Sequence, residues 1–217
     1  MASLRPLDPP HKGIRNALSQ LGLAAGNTVA SDEDAMAAFL QLGADVLAFL
    51  DEHAAFEEAY ILAPLEARVP GAADRDRAAH HELQTSIAPL RAAFCGPRAA
   101  LPQEALDELA QQIAAFHAAY LLHMAEEEAS TERQMMAHFS DEELIGHQIA
   151  IMAETSLPSL LRMFRFIAPA RRLDENAQVL RALRASAPPA VVDAVRDTLR
   201  AAMPEASFLA LMREVGG

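Results

Sequence analysis

Apolar residues recur at three- and four-residue intervals along almost the whole chain, the period of amphipathic helices. His11, Ile14, Leu18 and Leu21 mark one such face. A second stripe runs through Phe39, Leu42, Val46, Phe49 and Leu50 and continues into His53 and Glu57. A third joins His80 to Leu83, Ile87 and Leu90. A fourth runs from Leu106 and Leu109 through Ile113, Phe116 and Tyr120 to His123 and Glu127. Turn residues separate them: Gly26 and Asn27, then Val69-Pro70-Gly71, then Cys95-Gly96-Pro97. Ser31 or Asp32 caps the second helix, which Pro64 should kink or end. Pro89 should bend the third or cut it short. Pro102 sits in the first turn of the fourth, whose pattern continues to about His138. Ser140 and Glu143 have the capping form that opens a fifth helix, reaching about Thr155. Short helices follow over 158–168, 174–185, 189–201 and 204–215. Runs of Val, Ile and Thr that would form strands are nearly absent, so the pattern predicts an all-α fold.

This divides the chain into a Pro-rich extended arm over 1–10, a helical bundle over 11–155, and a C-terminal helical extension over 156–217 packed on the bundle. The tail's apolar stripes (Leu160, Met163, Phe164 and Ile167; Val179, Leu180 and Leu183; Val192, Val195 and Leu199) read as packing or interaction surface, and as a candidate route to a homo-oligomer. The 217 residues suffice for a sizeable core. A formal net charge of −12 argues against nucleic acid and against anionic membrane surfaces. The chain shows neither a signal-peptide core nor an apolar run long enough to span a membrane. With the single Cys95, this leads us to expect a protein of the reducing cytoplasm.

Six polar residues change the picture, because they lie on apolar stripes. They are His11, His53, Glu57, His80, His123 and Glu127. Two HxxxE phrases place an imidazole and a carboxylate one turn apart on the same inward face. Burying such groups is costly unless something binds them, and a metal ion would. A single inward histidine is more often structural than ligating. Six such positions on four successive helices are much harder to obtain by accident. Nitrogen and oxygen donors without thiolate suit iron, manganese or zinc. Six ligands with two carboxylates able to bridge fit two metals better than one. His81, His117 and His138 fall off the inward faces and read as surface or groove histidines.

The set resembles the hemerythrin-like (HHE cation-binding) family: a His in the first helix, HxxxE in the second, a His in the third and HxxxE in the fourth. The phrases HAAFEEAYILAPLE and LLHMAEEEAS are similar to those of bacterial members, and the resemblance covers about residues 8–155. It implies an up-down four-helix bundle with additional C-terminal helices around two iron ions joined by an oxo or hydroxo bridge. His11 and His53 would serve one iron, His80 and His123 the other, with Glu57 and Glu127 bridging. The chain departs from the oxygen carriers of the family at Gln84, where they have a second histidine, and in using HxxxE where they use HxxxxD. Tyr60 and Tyr120, one turn from the ligand pairs, are candidates to hydrogen-bond or protect the site, or are simply core aromatics.

Two kinds of function follow from the resemblance. One is a binding protein whose centre binds or senses a small diatomic ligand, oxygen or nitric oxide. The other is a di-iron oxidoreductase acting on nitric oxide, peroxide or oxygen, or an iron donor in cluster repair. The departure at Gln84 leaves one iron position to water, to Gln84 itself as an accessory group, or to another ligand, and leans toward chemistry at a more open iron. A purely structural metal in a helical interaction module is the plainest alternative.

Overall fold

A computed structural model describes residues 5–96 and 101–216. Residues 1–4 of the expected arm and Pro97 lie outside the described residues. The described residues are helical and contain no strand.

The first helix, α1, spans Asp8–Asn27. It therefore begins inside the stretch read as an extended arm. Pro9 and Pro10 fall in the first turn, where a missing N–H costs nothing and a fixed φ favours the helix. Leu7, just before it, is buried. The second helix, α2, spans Glu33–Glu57 and is capped by the Asp32 side chain accepting from Ala35 N. A π-helical turn, Glu58–Leu62, then leads into α3, Ala63–Arg68. Pro64 lacks the N–H that regular continuation needs, and the chain widens just before it.

The turn to α4, Asp74–Ser86, is closed by Glu66, whose carboxylate accepts from Gly71 N at 2.7 Å and Ala73 N at 3.1 Å. Gly71 has φ +83°, a conformation that favours glycine. Pro89 splits the third stripe into α4 and α5, Ala88–Cys95. The fourth long helix, α6, covers Gln103–Ala129. It breaks at Ser130, earlier than the stripe alone predicts, and α7 resumes over Thr131–His138. A complete Ser140–Glu143 capping box opens α8, Asp141–Glu154.

α1, α2, α4 with α5, and α6 form the bundle. Its core joins Ile14, Leu18, Val46, Phe49, Ile113 and Phe116 with Phe166 and Ile167 from α9, Leu157–Ile167. The first extension helix thus packs into the bundle core. Gly13 makes this possible: a Cβ there would lie 2.5 Å from Ile167 Cγ1. Asn16 adds a hydrogen bond from Nδ2 to the Phe166 carbonyl, 2.9 Å. The remaining helices, α10 (Leu173–Ser186), α11 (Pro189–Ala202) and α12 (Glu205–Glu214), share a separate core with α9. Leu160, Leu180, Val195 and Leu199 are buried in it, so these positions of the tail's stripes are used in internal packing. A third apolar cluster, including Leu7, Leu62, Leu65 and Met135, seals the end of the bundle beside the polar residues.

Candidate metal centre

The four bundle helices each deliver an inward polar group to one level of the core. Side chains four apart on α2 and on α6 stack on one face, so His53 lies beside Glu57 and His123 beside Glu127. α1 brings His11 and α4 brings His80 to the same level. All six residues expected to form the site come together there.

They assemble as two groups. The ligand atoms of His11, His53 and Glu57 lie within 4.8 Å of one another, as do those of His80, His123 and Glu127. The carboxylates reach across. Glu127 lies 2.7 Å from His123 Nε2, 3.4 Å from His80 Nε2 and 3.4 Å from His11 Nε2. Glu57 lies 3.2 Å from His53 Nε2 and 3.5 Å from His80 Nε2. Each carboxylate therefore lies within reach of histidines from both groups.

Burial is deep. His11 and Glu127 side chains are fully enclosed, and His80, at 17% exposure, is the most open of the six. The four Nε2 atoms and all four carboxylate oxygens are buried without a hydrogen-bond partner among the described residues. They approach closely enough to act on one another's charge, but their directions do not form hydrogen bonds. Unpaired buried polar atoms of this kind cost about 1–3 kcal/mol each. Octahedral ligands about 2.1 Å from a cation stand about 3 Å apart, near the spacing seen here. Donor type, convergence and lack of partners all fit cations.

Electrostatics agree. Burial alone would raise the Glu57 carboxyl, yet His53 and His80 hold it well below the usual carboxylate range. Burial would depress His80, but Glu127 and Glu57 push it up to about 10. Carboxylates and imidazoles packed this closely stabilise one another's charged forms.

Outer contacts hold the ligands in place. His11 Nδ1 meets Glu128 Oε1 at 2.9 Å, and Arg15 Nη2 donates to the same oxygen at 2.8 Å. The hydrogen bond with His11, reinforced by Arg15, brings the Glu128 carboxyl down to about 2. This fixes His11 with Nε2 facing the centre. Sequence reasoning missed Glu128, which sits in an acidic run that reads as solvated surface. It also missed Asp76, one turn before His80. Asp76 is buried and accepts from Thr131 Oγ1, tying α4 to the start of α7, and burial raises its carboxyl.

Of the three accessory candidates, Tyr120 is buried edge-on to His123, ring centres 5.8 Å apart, and burial raises its phenol well above 10. Tyr60 does not turn to the site. It packs beside Phe56 and pairs with Glu154 of α8, because the π-helical turn shifts its phase. Gln84 is exposed and accepts from Arg91 Nη2 at 3.4 Å, which places it at the surface and not among the ligands. His81 and His138 are exposed and His117 is half-buried, all away from the six.

A helical bundle with a His/Glu pocket of this geometry defines a cation-binding protein. The family profile described as the hemerythrin HHE cation binding domain matches residues 3–131, more than half of the chain. The chain belongs to that family. No curated protein and no solved structure matches it. No helix among the described residues is long and apolar enough to cross a membrane.

Proposed function

We propose that the chain holds two iron ions and binds or senses a small diatomic ligand, oxygen or nitric oxide. In this reading His11 and His53 hold one ion, His80 and His123 hold the other, and Glu57 and Glu127 bridge them. The observation that carries it is the set of eight unpartnered buried atoms in two His/His/Glu groups, each carboxylate reaching across to the other pair. When bound, the irons would supply redox and ligand-binding chemistry. The protein's part is separable. Glu128 and Arg15 orient His11. Phe116 and Tyr120 keep the surroundings of His123 apolar, which strengthens electrostatic interactions inside. Manganese or zinc would satisfy the same donors.

The extension supports sensing more than carriage. α1 carries His11 on one face and, through Gly13 and Asn16, holds α9 on another. Lys12 Nζ also lies 3.5 Å from Glu175 of α10. A shift of His11 would therefore bear directly on the extension. The test is optical titration of anaerobically purified, iron-loaded chain with oxygen and with nitric oxide. A saturable, reversible band supports binding or sensing. Catalytic consumption of the gas when a reductant is supplied would instead make the chain an oxidoreductase.

A further inference from the structure

The centre is not equally enclosed on all sides. The His80 side chain is 17% exposed, whereas none of the other five exceeds 5%. A cavity of about 20 Å³ lies between α2, α4 and α6, with His80 in its wall. That volume suits about one water-sized molecule. Leu50, Leu83, Phe116 and Tyr120 make its walls apolar, and Asp51 and Gln84 supply polar groups. Arg91 of α5 ties these two together. Its Nη1 donates to Asp51 Oδ2 at 2.7 Å, and its Nη2 donates both to Asp51 Oδ1 and, at 3.4 Å, to Gln84 Oε1. One guanidinium thus links a carboxylate on α2 to an amide on α4.

We propose that Asp51, Arg91 and Gln84 form a gate that sizes the molecules reaching His80. The inference rests on the reading above insofar as His80 is where a ligand meets the centre. The two halves of the gate differ in strength. A bidentate Arg–carboxylate pair is short and geometrically fixed, so Asp51 anchors Arg91. The single longer contact to exposed Gln84 is the half that yields, and exposed side chains change rotamer in picoseconds to nanoseconds. A diatomic passes with the bridge in place. A bulkier molecule needs Gln84 to swing away.

Tyr120 lines the cavity and reports on it. The chain has two tyrosines and no tryptophan, so Tyr60→Phe leaves Tyr120 as the sole intrinsic fluorophore of its kind. Its quenching by dissolved oxygen and by acrylamide is measured on the full chain, with zinc supplied in place of iron so that no coloured ion interferes. The parent should be quenched by oxygen and only weakly by acrylamide. Adding Gln84→Ala, or Arg91→Met, should raise the acrylamide constant severalfold and leave the oxygen constant near its starting value. Equal access of both quenchers to the parent would overturn the gate, as would an acrylamide constant unmoved by both substitutions. The readout needs no bound iron, so a chain that takes up none would refute the functional reading and still decide on the gate.

Discussion

Glu127→Gln is the sharpest perturbation of the centre. It keeps the side chain's volume but removes the charge of the residue that lies near His11, His80 and His123 at once. Loss of a partner that merely orients a ligand typically lowers metal affinity 10- to 100-fold, roughly, and loss of a bridging carboxylate should do at least as much. A 100-fold loss corresponds to about 2.7 kcal/mol less stabilisation by bound metal. For a chain of this size, about 2–4 °C of Tm accompanies each kcal/mol, so the metal-loaded Tm should fall by about 5–11 °C. The quantity to follow is the Tm gap between metal-loaded and chelator-treated protein, because it cancels any effect on the bundle alone. Calorimetry with parallel metal analysis measures both. The gap should shrink by that amount and metal content should drop. His81→Ala, at an exposed position off the site, should change neither. An unchanged gap with full metal content in Glu127→Gln would refute the bridging assignment.

Three further outcomes follow from the same geometry. Gly13→Ala should lower stability by about 1–3 kcal/mol, because its Cβ would be driven against Ile167; an unshifted urea midpoint would mean the α1–α9 contact is looser than it stands. Thr131→Val removes the donor to buried Asp76 and should cost about 1–3 kcal/mol in thermal unfolding, with metal content unchanged. Glu128 has its carboxyl depressed from 4.5 to about 2, so its contribution is present above pH 4.5 and is lost as pH falls toward 2. The loss of stability of chelator-treated protein across that window should therefore be shallower in Glu128→Gln; identical pH profiles would remove the link to His11.

The helical class and the inward placement of all six polar residues were legible because both follow from the period of apolar positions. His53–Glu57 and His123–Glu127 share a face by spacing alone, and His11 and His80 head apolar stripes that run into the core. Local signals also narrowed the α2 cap to Ser31 or Asp32, of which Asp32 serves, and placed the Ser140–Glu143 capping box and the Pro89 break. What escaped depends on contacts distant in sequence or on departures from the regular helix. The break at Ser130 has no Gly or Pro to mark it, and Thr131 just beyond is fixed by Asp76, 55 positions earlier. Asp76 could have been found, since it stands four residues before His80 on the same face. Glu128 could not be told from its acidic neighbours until Arg15 and His11 were seen against it. Tyr60 was misplaced because a π-helical turn changes the phase that an ideal helix assigns.

The most direct test of the central claim is metal content per chain, measured by mass spectrometry of native protein with elemental analysis. Parent chain supplied with ferrous iron without oxygen should carry two irons, and the double substitution Glu57→Gln, Glu127→Gln, folded by circular dichroism, should carry none or one. Two irons retained in the double variant, or none taken up by the parent, would contradict the account.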